Sequence, residues 1–109
     1  MPDTAWAALT DPTRRALLEL LRQQPRSVGE LVAALGLSQP TTSKHLRVLR
    51  DAGLVRVQPD AQRRIYALDP APLAALDAWL QPYRDYWNPR LDALGAYLDR
   101  QPPAPEETP

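Results

Sequence analysis

The sequence predicts a mainly α-helical domain carrying one small β-hairpin. Three observations predict it. Leucines recur at helical spacing in ALLELLR, in ELVAAL and in HLRVL, each run opened by a capping residue and closed by Gly or Pro. Two short segments rich in β-branched and aromatic residues, LVRVQ and RIYAL, lie side by side with turn chemistry between them. A second helical pattern with leucines and aromatics three and four apart then resumes at Pro72.

Taken in order, Trp6 and Leu9 belong to a short apolar helix that stops near Thr10. Asp11-Pro12 reads as N-cap and first residue of the next helix, which ALLELLR carries to about Gln24, where Pro25 ends it. Ser27 caps a third helix, with Glu30 completing a capping box. Leu31, Val32 and Leu35 form its inner face, and Gly36 turns the chain.

Ser38 caps the fourth helix, and Pro40 sits in its first turn, where a missing N–H costs little. Thr42, Leu46 and Leu49 share an inner stripe, with the Thr42 hydroxyl expected to bond back to the helix. Pro40, Lys44 and Arg47 lie opposite, flanked by Thr41 and Ser43. Gly53 stands where a helix end favours a left-handed residue.

The helix, turn and helix over residues 28–52 form a helix-turn-helix, and the hairpin over 54–68, with a Pro59–Gln62 loop, forms a wing. Residues 71–100 carry Leu73, Leu76, Leu80, Tyr83, Trp87, Leu91, Leu94 and Leu98 at the spacing of a helix-pairing seam, interrupted by Pro82 and Pro89. The expected architecture is a winged helix-turn-helix of about five helices over residues 1–100. Residues 101–109, rich in proline, read as a disordered tail.

Zero net charge conceals an asymmetry. Residues 1–66 hold ten Arg and Lys against six Asp and Glu, whereas residues 67–109 hold three against seven. A cationic front and an acidic rear suit a protein that offers one face to phosphates and another to itself or a partner. There is no cysteine, hence no disulfide and no thiolate metal site. No apolar run is long enough for a membrane span and no signal-peptide core is evident, so the expected location is cytoplasmic.

A polar, basic helix face anchored by an apolar stripe suits the DNA major groove. The candidate DNA-binding residues are Gln39, Thr41, Ser43, Lys44, His45 and Arg47, with Arg63 and Arg64 at the wing tip. Gln39 has the chemistry to read adenine and Lys44 to reach guanine, while Arg47 suits a phosphate. Trp6, Leu9, Leu76, Trp79, Leu80, Tyr83, Trp87, Leu91 and Leu94 are the candidate dimer-interface residues, since a 109-residue chain gains from further burial. An aromatic effector pocket is the alternative reading of that stripe. Arg14 and Arg15 have either acids across a dimer or DNA as candidate partners.

LTDPTRRALLELLR, SVGELVAALGLSQPTTSKHLRVLRDAGLV and RIYALDP occur in that order, and together they resemble the ArsR/SmtB family of winged-helix repressors. The resemblance covers residues 4–70 closely and the terminal helix more loosely. It implies a homodimer, built from the first and last helices, that binds operator DNA and leaves it when a signal arrives. Two departures stand out. Metal-sensing members carry Cys ligands on the helix before the recognition helix, or Asp and His ligands on the last helix. Here residues 29–35 offer only Glu30, and the last helix has Asp77, Asp85, Asp92 and Asp99 without histidine. At the wing tip, Ala61-Gln62 replaces a glycine-centred turn.

The C-terminal WLQPYRDYW resembles the non-metal, self-repressing branch. The implied partners are double-stranded operator DNA, a second copy of the chain, and an unidentified effector or protein. No cofactor, metal or membrane is expected. A winged-helix module for protein–protein contact is the competing reading. An enzyme lacks a glycine-rich phosphate loop, a thiol and a partnered histidine, so no catalytic residue is nominated.

Overall fold

A computed structural model describes residues 3–87 and 89–100, with the side chains of residues 89 and 91–93 outside it. The chain runs α1 (Asp3–Ala8), α2 (Pro12–Gln23), β1 (Arg26–Ser27), α3 (Val28–Leu35), α4 (Gln39–Asp51), β2 (Val55–Asp60), β3 (Arg63–Leu68), α5 (Ala71–Tyr86) and α6 (Pro89–Asp99). Residues through Ala78 form one compact unit, and those from Trp79 onward a second.

Local chemistry sets the helix ends of the first unit. The Asp11 carboxylate accepts from the Thr13 and Arg14 backbone N–H groups at 2.7 and 3.2 Å, so α2 starts at Pro12. Ser27 and Glu30 close their capping box reciprocally, each bond 3.2 Å long. Gly36, at φ 67°, supplies the left-handed cap that ends α3. At the far end of α4, the Gly53 N–H donates to the Arg50 carbonyl and the Leu54 N–H to that of Leu49. With Gly53 at φ 76°, this is the Schellman arrangement, and it buries Leu49 and Leu54 together.

Leu17, Leu31, Leu46, Leu49 and Leu54 are fully buried and join α2, α3, α4 and the start of β2 into one core. Each such leucine contributes about 1.5–3 kcal/mol by leaving water. Thr42 is also fully buried, and its hydroxyl donates to the Ser38 carbonyl at 2.9 Å, as the inner-stripe position predicts. The core thereby fixes which face of α4 points outward.

The expected hairpin is one part of a three-stranded antiparallel sheet, ordered β1-β3-β2. Arg26 and Ser27 pair with Tyr66 and Ile65, a two-residue strand too short to show any sequence period. The wing's strands also reach further than expected. Asp60 pairs with Arg63, so the loop is Ala61 and Gln62 alone rather than Pro59–Gln62. Pro59 is tolerated because β2 is an edge strand. Ala61 takes φ 57°, which a glycine-centred turn would adopt without strain.

Among the described residues six helices replace the expected five or so, because the C-terminal pattern divides into α5 and α6. Pro82 lies inside α5; the helix ends after Tyr86, ahead of Pro89. A proline removes one intrahelical bond yet opens a new helix readily, so Pro89 marks the boundary that Pro82 does not. The tail assigned to 101–109 lies outside the described residues.

Candidate nucleic-acid interface

The outward face of α4 and the wing enclose a concavity of about 780 Å³, lined by Val28, Gln39, Pro40, Ser43, Lys44, Arg47, Arg50, Arg64 and Tyr66. Four of these side chains are cationic and none is acidic. Among the described residues, Lys44, Arg47, Arg50 and Arg64 engage no carboxylate within ion-pair distance. The groove therefore presents uncompensated positive charge, as a phosphate-binding surface requires. A second concavity of about 400 Å³ continues along the wing between Ser27, Gly29, Gln39, Gln62, Arg63 and Arg64.

Four further arginines of this unit are engaged away from the groove. Arg14 donates from Nε to the Ala8 carbonyl at 2.7 Å, and Arg15 from Nη1 to that of Leu9, also at 2.7 Å. Arg26 donates to the Leu20 carbonyl at 3.1 Å, and Arg22 pairs with Glu19. Arg14, Arg15 and Arg26 thus satisfy carbonyls at the ends of α1 and α2.

Of the residues nominated from sequence, Gln39, Ser43, Lys44, Arg47 and Arg64 meet in the larger concavity, and Arg63 lines the smaller. The Arg63 guanidinium also bonds Asp60 across the turn at 3.1 Å. Thr41 is exposed at the leading end of α4, its hydroxyl accepting from Ser38 Oγ at 2.8 Å, and it lines neither concavity. His45 lines neither as well. It is half-buried and lies on the side of Asp11, whose carboxyl it helps to hold down. The Arg14 backbone N–H is the main cause lowering the Asp11 pKa, with Thr13 adding to it.

Arg50, Tyr66 and Val28 line the groove without having been singled out from sequence. Arg50 follows Arg47 at i+3, a spacing that marks it; Tyr66 arrives only through the sheet.

The interface residues divide between the two units. In the first, Trp6 is 47% exposed and, with Leu9, Thr10 and Arg15, borders a mainly apolar concavity of about 480 Å³. Leu76, at 5% exposure, packs into the chain's own core. In the second unit Trp79, Tyr83, Trp87 and Leu94 are exposed and Leu80 is half-buried. Trp79 and Tyr83 stack at a tilt, ring centres 4.8 Å apart. The Leu91 side chain lies outside the described residues.

Residues 11–57, which hold both helices of the helix-turn-helix, match the family described as bacterial regulatory protein, arsR family. The HTH-type transcriptional regulator Rv2034 of Mycobacterium tuberculosis is 44% identical over 100 residues, 92% of this chain and 91% of that one. This chain belongs to the ArsR family of transcriptional regulators. Among solved structures, the ArsR family regulator RHA00566 matches with a TM-score of 0.71 and 33% identity, over 80% of this chain and 90% of its own. The homodimeric winged helix-turn-helix DNA-binding domain Mb0332 of Mycobacterium bovis matches at 0.63 and 30%, over 76% and 77%. The ArsR-family chain is thus a winged-helix transcriptional regulator and not an enzyme. No helix among its described residues is long and apolar enough to cross a membrane.

Proposed function

We propose that this ArsR-family chain is a homodimeric, sequence-specific repressor that acts in the cytoplasm, without a metal, at its own or a neighbouring promoter. The observation that carries the reading is the acid-free groove in which Gln39, Ser43, Lys44, Arg47, Arg50 and Arg64 converge. A helix face that pairs hydroxyl and amide groups with cations supplies base contacts and phosphate contacts together. Arg63 and Arg64 extend the contact along the wing to the neighbouring backbone.

Dimerisation rests on exposed apolar side chains in each unit: Trp6 on α1 in the first, and Trp79 and Tyr83 on α5, Trp87 just after it and Leu94 on α6 in the second. The dimeric M. bovis domain supports this reading. Two recognition helices held by one dimer read half-sites about 34 Å apart, or a multiple of that. Metal independence rests on donor chemistry. The chain has no cysteine, and its one histidine lies on the recognition helix. The signal that releases DNA is a small apolar molecule, a protein partner or the chain's own concentration.

A mobility shift on the DNA upstream of its own gene tests the proposal, with a scrambled competitor, two salt concentrations and a chelator arm. Selective binding that weakens with a log-log salt slope of about −0.9 per phosphate, indifferent to chelator, is the expected result. Binding no tighter than to the scramble excludes self-repression. A partner captured equally by the wild type and an Arg63→Ala/Arg64→Ala variant, with no operator found, favours a protein-contact module.

A further inference from the structure

Lys44 is the only lysine in a chain with twelve arginines. It is exposed and sits in the groove among Arg47, Arg50 and Arg64. A guanine or a phosphate contact would be served as well by arginine, the cation used at every other basic position of the chain. What a lysine adds is a primary amine that, once deprotonated, is a nucleophile. Its setting adds a second element. A concavity of about 780 Å³ lined by four cations and no acid attracts any small polyanion, not DNA alone.

We propose that Lys44 is an acyl-acceptor site, modified by donors whose acyl group is carried on an anionic phosphate-bearing leaving group. The three arginines draw the donor's phosphates into the groove and so raise its local concentration around the amine. The neutral Nζ attacks that carbon, an N–C bond forms, and the bond from the acyl carbon to phosphate oxygen or thioester sulfur breaks. Phosphate or thiolate departs with the bonding pair, and the proton from nitrogen passes to solvent. No oxidant or reductant takes part.

The product is a neutral amide in place of one groove cation, with the other three unchanged. Because DNA and donor occupy the same concavity, acylation proceeds only on protein that has left DNA, and it then delays rebinding. That regulatory consequence rests on the repressor reading; the acylation site itself does not.

The full-length protein is incubated with acetyl phosphate in one arm and acetyl-coenzyme A in another, at low and high salt, and the adduct is mapped by peptide mass spectrometry. Blocked free lysine (Nα-acetyl-lysine amide) in the same tube sets the reference rate. Lys44 is expected to react about tenfold faster than the reference or more, with the advantage lost at high salt. Whichever arm shows the advantage identifies the donor.

DNA that the unmodified protein shifts is expected to protect Lys44, and the acetylated protein to bind that DNA at least about fivefold more weakly. Reaction at the reference rate in both arms, or adducts confined to the chain's α-amino group, overturns the site. Unchanged DNA affinity after complete acetylation overturns the switch. If the unmodified protein shifts no DNA, the repressor reading and the switch fail together, and the rate comparison still decides the site.

Discussion

The Arg14 guanidinium donates from Nε to the Ala8 carbonyl at 2.7 Å, joining the first turn of α2 to the last residue of α1. Asp11 caps α2 from the same corner, so the Asp-Pro-Thr-Arg run closes two helix ends at once. Arg14→Ala should therefore cost about 1.5 kcal/mol in urea unfolding, as loss of a charge-assisted bond does. Arg14→Lys should recover only part, because an ammonium lacks the planar fork. The salt slope of DNA binding should stay unchanged in both. A flatter slope would mean that Arg14 neutralises a phosphate.

That corner also shows where sequence reading stops. Caps are local, and Ser27 with Glu30, Ser38, Gly36 and Gly53 all stand where their spacing puts them. The inner stripe Thr42, Leu46 and Leu49 likewise follows from the 3.6-residue period. Contacts that close through space are not encoded in any period. Neither Arg26 bonding the Leu20 carbonyl nor β1 adding to β3 leaves a mark on neighbouring residues. Tyr66 is the same case at the site: its strand position was legible, but its place in the groove depends on how the sheet meets α4. Thr41 and His45 differ from the rest, because a helix face read from a wheel is broader than the part of it that lines the groove.

Ala61 at φ 57° carries a side chain in a backbone region that costs a non-glycine residue about 1–2 kcal/mol. Glycine removes that cost and loses part of the gain to unfolded-state entropy. Ala61→Gly should thus raise stability by about 0.5 kcal/mol, whereas Ala61→Val should lower it by more than 1 kcal/mol, since branching at Cβ worsens the clash. Thermal unfolding separates the two. A destabilised glycine variant would show that the turn does not need its left-handed residue.

Groove residues should divide by what they touch. Arg50→Ala should weaken cognate and random DNA alike and flatten the salt slope by about 0.9, the signature of one lost phosphate. Gln39→Ala should lower cognate affinity by about 1–3 kcal/mol and relax preference at one base pair. Fluorescence anisotropy on a panel of single-base operator variants reads both. Equal losses for Gln39→Ala on all sequences would reduce it to a backbone contact.

Acid should act through two caps. Backbone N–H donation, led by Arg14 for Asp11 and by Ser27 for Glu30, holds both carboxyls below their ordinary values of 3.8 and 4.5. A depressed folded-state pKa means stability fully present above the ordinary value and lost as the pH falls through the folded one. Stability should therefore be flat near neutral pH and decline from about pH 4.5 downward. Asp11→Asn keeps an N-cap acceptor and removes the titration. It should stay close to wild type at pH 7 and lose less on acidification, as urea midpoints at pH 7 and pH 3.5 would show. An unaltered acid slope would assign the pH dependence to other carboxylates.

Dimerisation should be the largest lever on DNA affinity. Tyr83 is 57% exposed on one chain and stacks with Trp79, so it offers aromatic area to a partner without supporting the chain's own core. Tyr83→Glu places a charge in that surface, which a buried apolar interface tolerates poorly. Light scattering should show a monomer with an unchanged circular dichroism spectrum. A monomer binds one half-site and forfeits the high effective concentration that the second recognition helix enjoys once the first is bound. Apparent affinity for the full palindrome should fall by about 10²–10⁴-fold, while affinity for an isolated half-site holds. A variant that stays dimeric and binds normally would move the interface away from Tyr83.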